Sequence, residues 1–484
     1  MRQAMAFGVL GPVLAISAAD CLTGDLGRKE ARGLTQPGSG DGVAFPESFP
    51  YRVGAAPAVP WYARHRAERR SPLVCAFRAV DYLLKYERKH RGASAEALEY
   101  FAWQREMLGH LAAERTDVAD VSLALVGDLM WLQSDWRDFL APEVLEYLNG
   151  HDMVIGNLET VVAHSFGVPR LLHEPAILRY NSRPELVTSF RRPDGRNTFT
   201  ALTLANNHAM DYGRRGASET AAFLSEQGIL HTGTRIDRAA PDYVDFSARG
   251  IRVGLCAATW GLSNRVELIS EVRQVASLAP LPGEPLDIGP IRAALDAMGR
   301  AGVDFRIAAV HWGFEYELYP DPTVMQVARQ IVRAGADLVV GTHPHVVQPA
   351  EICFLNGYER RYAAATAGPP CLPLPQGSLL GDGSDQQRKA LVLYSLGNFT
   401  TAMGTFLCRT GAIQSLRLRR DPATGRVDWF APRTRLSYNV PRDRISGGRR
   451  LVLLSSRLAA GHADSLSRRD REDLQLLHRI VPGE

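Results

Sequence analysis

Apolar, β-branched runs alternate along this chain with segments of helical spacing, and short polar clusters sit at or just beyond the ends of the runs. From near Val118, the pattern predicts a buried strand at Val121 to Val126, a helix at Pro142 to Asn149 and a short strand at Met153 to Ile155. A helix at Pro184 to Phe190, a strand at Phe199 to Leu204 and a helix at Arg214 to Gln227 follow. Val253 to Ala258, Phe305 to Val310, Leu338 to Val340 and Leu391 to Ser395 predict further strands, with helices at Ile291 to Ala301 and Val324 to Ala334. Strands alternating with helices imply an α/β sheet covered on both faces. Two insertions, Arg265 to Asp287 and Arg360 to Arg388, interrupt the alternation.

Upstream, Pro72 to Arg115 has helical spacing with a break at Gly92, which predicts a helical hairpin packed on the domain that follows. Gly24 to Pro60 is rich in Gly, Pro and Ser and reads as a linker. The expected organisation is an irregular arm or signal segment over 1–60 and a helical extension over 61–117. The main domain follows over 118–435, with a C-terminal extension over 436–484.

A chain of 484 residues with a formal charge of +4 is long enough for a large core. It lacks the basic, aromatic-interleaved stripe of a nucleic-acid surface, so no nucleic-acid partner is expected. The basic tracts Arg64 to Arg70 and Arg442 to Arg450 read as solvated faces. The six cysteines form no CxxC pair, although Cys353 and Cys371 flank a loop-rich stretch and could pair in an oxidising compartment. Met5 to Ala19 has the apolar character of a signal core, but only Arg2 is basic, Gly11-Pro12 interrupts the run, and Asp20 beside Cys21 argues against a lipoprotein site. Export and a cytoplasmic location both stay open, with the balance toward the cytoplasm. No other run is long enough to span a bilayer, which leaves the N-terminus as the only route to a membrane.

The chemistry is concentrated in the polar clusters. Asp128 emerges from Leu123-Ala124-Leu125-Val126-Gly127, and Glu159 repeats the arrangement in Gly156-Asn157-Leu158-Glu159. A carboxylate at the end of a buried strand needs a cation, a helix N-terminus or a solvent-filled cleft. Asn206-Asn207-His208 delivers a carbonyl oxygen and an imidazole together, and Asp211 is placed to bind His208 and set its tautomer. His311 follows Ile307 to Val310, and His343 and His345 follow Leu338 to Thr342. In an extended segment these last two side chains point to the same side. Ligands at the C-terminal ends of neighbouring strands converge on one crevice, as a two-metal hydrolase site requires. The remaining histidines, His90 and His110 among them, are given no catalytic role.

These motifs resemble the capsule-synthesis CapA/PgsA proteins, linked to poly-γ-glutamate production, whose domain is similar to the calcineurin-like metallophosphoesterases. The resemblance runs from Val121 to Phe399 and includes His311-Trp312-Gly313-Phe314-Glu315-Tyr316 and Tyr394-Ser395-Leu396-Gly397-Asn398-Phe399. It implies a four-layer α/β/β/α metallophosphoesterase-like sandwich with its metals at one edge. Asp128 and His345 would hold one metal, Asn207, His311 and His343 the other, and Glu159 would bridge them. His208 would act as general acid, oriented by Asp211, while Asn157, Glu315 and Tyr316 would line the pocket. The family often carries Gly-Arg soon after its first motif, where this chain has Trp131-Leu132-Gln133, so the resemblance leaves recognition of an anionic group near that loop open.

The cofactors implied are two divalent transition-metal ions, manganese, iron or zinc, since mixed N and O ligands suit these better than calcium. Three functions follow from the resemblance and the residues. One is a dinuclear phosphoesterase acting on an anionic small molecule or polymer, and another a non-hydrolytic accessory protein for assembly or export of an anionic polymer. The third is metal-assisted cleavage or transfer at an amide bond.

Overall fold

The computed structural model describes residues 84–89, 93–117, 120–130, 136, 138–168, 179–235, 242–262, 275–278, 286–356, 379–380, 387–441, 448–462 and 466–481. The segment Met5 to Ala19, the linker, Trp131-Leu132-Gln133, His90, Cys371 and most of both insertions lie outside these residues.

In chain order the strands are β1 (Val121–Met130), β2 (Met153–Glu159), β3 (Ala201–Thr203), β4 (Leu230–Thr232), β5 (Tyr243–Ala248), β6 (Ile251–Thr259), β7 (Phe305–His311) and β8 (Leu338–Thr342). They continue with β9 (Ala350–Leu355), β10 (Leu379–Leu380), β11 (Arg388–Leu393), β12 (Asn398–Thr400), β13 (Thr410–Arg420), β14 (Val427–Pro441) and β15 (Arg449–Leu453). Among the described residues they form two sheets. The first has eight strands in the order β15-β14-β13-β1-β2-β3-β4, with β12 also on β1, and the second has seven in the order β10-β9-β11-β8-β7-β6-β5. The centre of each is parallel, β1-β2-β3-β4 in one and β6-β7-β8-β11 in the other.

Strand alternation sorts the core into layers. Leu123, Leu125, Met153 and Ile155 face Val253, Leu255, Ile307, Leu338 and Val340 across the space between the sheets. The opposite faces are covered by helices. Ala124, Val126, Val154 and Leu202 pack on Val144 and Leu148 of the helix Pro142–Asn149 and on Ala221 and Leu224 of Gly213–Glu226. Cys256, Ala258, Ala308, Val310 and Val339 pack on Ile291, Leu295 and Met298 of Gly289–Arg300 and on Val324, Ala328 and Ile331 of Pro322–Arg333. The chain is therefore an α/β/β/α sandwich, as expected.

The helix Ala95–Ala112, started by Ser94 accepting from the Ala97 N–H, closes one side of the sandwich. Its Leu108 and Leu111 enter the inter-sheet core, while Tyr100 and Phe101 join the layer outside the second sheet. The expected boundary at 435 falls inside β14, which pairs with β13 from Thr410↔Tyr438 to Arg420↔Val427, and β13 pairs in turn with β1. The last strands thus belong to the first sheet, and the C-terminal helix Arg468–Ile480 inserts Leu477 and Ile480 into the inter-sheet core. Cys353 is a buried free thiol on β9.

Candidate metal centre

The parallel strands of both sheets end at one crevice, and every residue singled out as a ligand is buried there. Asp128 sits on a stretch of β1 where the register with β2 shifts between Leu125 and Asp128, a bulge that re-aims the side chain. Glu159 is the last residue of β2 and His311 the last of β7. Asn207 and His208 follow β3, and His343 and His345 follow β8.

The two histidines after β8 reach the crevice by a different route from the extended one expected. His343 has φ +99° and His345 φ +58°, so the segment bends at both residues. Local contacts hold these sparsely populated conformations. The His343 N–H donates to Asp128 Oδ2 at 3.1 Å, and the Pro344 carbonyl accepts the N–H of Tyr316, itself at φ +64°, at 2.9 Å.

The ligand atoms of Asp128, Glu159 and His311 lie within 4.8 Å of one another, as do those of Glu159, His343 and His345. Glu159 is common to both groups, while Asp128 lies 3.9 Å from His311 Nδ1 and 3.8 Å from His345 Nδ1, so the six side chains form one continuous cluster. His311 Nε2 lies 2.9 Å from Asn207 Oδ1, 3.3 Å from Glu159 Oε1 and 3.2 Å from His343 Nδ1. Asn157 donates to Asp128 Oδ1 at 2.7 Å, its own Oδ1 accepting from Thr203 Oγ1 at 2.9 Å, so it orients a ligand as well as lining the pocket. Glu315 Oε1 is 3.9 Å from His345 Nε2, and the Tyr316 ring is 6.1 Å from that imidazole.

Whether a cation fits here is tested by Glu159. Both its Oε atoms are buried and, among the described residues, accept no hydrogen bond. Burial, followed by the charges of Asp128 and Glu315, holds its carboxyl well above the usual range. Burial also pushes Asp128 up to about 6, against the opposing hydrogen bonds from Asn157 and the His343 N–H. Burial and the neighbouring imidazoles hold His311 and His343 well below the usual histidine range, and burial takes His345 down to about 3. The pocket thus gathers buried carboxyls that resist ionising and imidazoles held toward their neutral form. That is the donor set of a divalent transition metal, and these residues fit one.

Beside the ligands, His208 Nδ1 lies 2.7 Å from Asp211 Oδ2, and His208 is held from behind by its N–H donating to Asn206 Oδ1 at 3.1 Å. Three further residues support the site. Thr342 Oγ1 is 2.9 Å from His311 Nδ1, Asn398 Oδ1 is 2.9 Å from His345 Nδ1, and the Tyr180 ring packs on His208 at 3.9 Å between centroids. Thr342 and Asn398 lie in motifs that the sequence displays, whereas Tyr180 carries no periodic or motif signal.

A two-sheet α/β sandwich with a buried carboxylate–imidazole cluster at the strand ends defines the class. Residues 118–403 match the family model described as bacterial capsule synthesis protein PGA_cap, and the chain belongs to that family. It is similar to the capsule biosynthesis protein CapA of Bacillus anthracis, with 26% identity over 325 residues that cover 64% of this chain and 66% of that protein. The PGA biosynthesis protein CapA of Bacillus subtilis (strain 168) is 25% identical over 317 residues, covering 64% of this chain and 70% of that one. The chain therefore spans about two thirds of the length of these relatives. A structure described as a novel phosphatase from Mycoplasma pneumoniae overlaps 66% of this chain and 94% of its own, at 10% identity and a TM-score of 0.33, a likeness too slight to carry any argument about activity.

Proposed function

We propose that this protein is a metal-dependent hydrolase of anionic substrates, with phosphoesters as the substrate class. The observation that carries this reading is Glu159, whose two buried oxygens accept no hydrogen bond among the described residues while it is common to both candidate ligand groups. Asp128, Glu159, Asn207, His311, His343 and His345 would hold two divalent ions of manganese, iron or zinc. Such ions supply an activated water and offset charge on the substrate's oxygens.

The chain's own part is proton handling and positioning. Asp211 Oδ2, against Nδ1 of His208, keeps a proton on that nitrogen and turns Nε2 toward the substrate as general acid for the leaving oxygen. Asn157 fixes the Asp128 carboxylate, and Glu315 and Tyr316 wall the pocket.

A second reading is a non-hydrolytic accessory role in assembly or export of an anionic polymer such as poly-γ-glutamate. It is favoured by relatives named for capsule and PGA biosynthesis. Amide-bond cleavage or transfer at the same centre is a variant of the first reading. The His208–Asp211 pair favours hydrolysis, since a pure binder needs no general acid. The test is a panel of phosphomonoesters, phosphodiesters and γ-glutamyl oligomers presented to metal-loaded protein. Phosphate-ester turnover is expected. Binding of poly-γ-glutamate without turnover of any substrate would favour the accessory role.

A further inference from the structure

Tyr180 belongs to none of the polar clusters, yet it is tied to the site through two contacts. Its ring lies 3.9 Å from the His208 imidazole at an interplanar angle of 32°. Its backbone N–H donates to Asp211 Oδ2 at 2.7 Å, the same oxygen that lies 2.7 Å from His208 Nδ1. One carboxylate oxygen therefore fixes the tyrosine and the imidazole together. The charges of Glu159, Glu315 and Asp211 all act on the phenol.

Burial comes first among the effects on this phenol, and with those three carboxylates it holds the pKa far above the usual value. The hydroxyl stays protonated at any working pH. Tyr180 is partly exposed, and among the described residues its hydroxyl makes no hydrogen bond. Two nearby donors are already committed, the Asn157 amide to Asp128 and the His208 backbone N–H to Asn206, and His208 Nε2 is assigned to the leaving oxygen. A group carrying several anionic oxygens needs at least one more donor. A neutral hydroxyl supplies it without the repulsion that Arg or Lys would meet from bound cations.

We propose that the Tyr180 hydroxyl donates a hydrogen bond to an oxygen of the anionic group bound at the metal centre, while its ring holds His208 in line behind that group. The inference deepens the hydrolase reading, on which it rests for an anionic group seated at this centre, and it names Tyr180 as a specificity-determining residue. The group is one with an unesterified anionic oxygen, phosphoryl or carboxylate.

The test is Tyr180→Phe, which keeps the stacked ring and removes the hydroxyl. Metal-loaded wild type and variant are titrated calorimetrically with orthophosphate and, separately, with a γ-linked glutamate trimer. Equal metal content is expected in both, with the anion that wild type takes bound about 10- to 100-fold more weakly by the variant, as fits one lost hydrogen bond to a charged group. Tyr180→Leu, which also loses the ring, is expected to shift the pH profile of turnover as well, and Tyr180→Phe is expected to leave that profile in place. Equal affinity in wild type and Tyr180→Phe overturns the proposal, and so does wild type that binds neither anion. Weakened binding in Tyr180→Phe with no phosphoester turnover by wild type supports the contact and overturns the hydrolase reading instead.

Discussion

A Cβ on Gly127 would lie 1.9 Å from the carbonyl oxygen of Gly397, and that same oxygen accepts the Asp128 N–H at 2.9 Å. The backbone carrying one candidate ligand and the turn carrying Asn398 touch through a position that tolerates no side chain. Gly127→Ala must push β1 and this turn apart. The loss of stability is expected to be about 3 kcal/mol or more, at the upper end for overpacking because the clash is with backbone. Urea unfolding measures it, and metal content should fall in the same variant because Asp128 moves with its strand.

Asn398 is expected to act on the metal through His345. Its Oδ1 meets His345 Nδ1 at 2.9 Å, and its Nδ2 donates to the Cys408 carbonyl at 2.9 Å, so the amide has one orientation to offer. Asn398→Ala should fold and should bind metal about 10- to 100-fold more weakly, the usual range for removing a group that orients a ligand. Competition with a chromophoric chelator reads the affinity directly. Unchanged affinity would mean that His345 is oriented by something else.

The parts of the fold legible in sequence are those buried on both faces. β1, β2, β7 and β8 read as apolar runs each followed by a polar cluster, and β6 as such a run without one, because both of their faces are covered. β13 and β14 did not stand out. Leu416 and Leu418 alternate with Arg417 and Arg419, and β14 buries Ser437 and Asn439, so neither strand has an apolar run. The candidate ligands were legible one by one, but the backbone bends that bring two of them into the crevice were not. The positive φ of His343 and His345 depends on contacts with Asp128 and Tyr316, which are remote in sequence. Tyr180 is invisible for the same reason, since its stacking partner becomes a neighbour only through the fold.

Asp120 provides a pH-dependent contribution far from the site. Burial alone would raise its pKa, but the two hydrogen bonds from Arg419, at 2.6 and 2.7 Å, and one from the Asp117 N–H hold it below the ordinary value of 3.8. A carboxyl depressed in the folded state adds stability that is present above its unfolded pKa and lost as pH falls through the folded one. Arg419 is 48% exposed, so the contribution is on the order of 1 kcal/mol. Asp120→Asn should lower stability by that amount at pH 7, and the difference from wild type should shrink in urea unfolding as pH falls below the ordinary carboxyl range and through the depressed folded pKa.

His208 is expected to serve turnover without holding metal. Asn207, its neighbour, is the residue against His311, whereas His208 faces Asp211. His208→Ala should retain metal and fold while slowing hydrolysis by about 10²- to 10⁴-fold for poor leaving groups, and by much less for nitrophenyl esters, which need little protonation. Loss of metal in this variant would make His208 a ligand. An equal loss across leaving groups would remove it as the acid.

The central claim is that Glu159 is shared by two cations. Elemental analysis of purified protein should find roughly two transition-metal ions per chain, and Glu159→Ala or His343→Ala should lose at least one of them. Metal content unchanged from wild type in both variants, or absent from wild type after exposure to manganese, iron and zinc, would contradict the account.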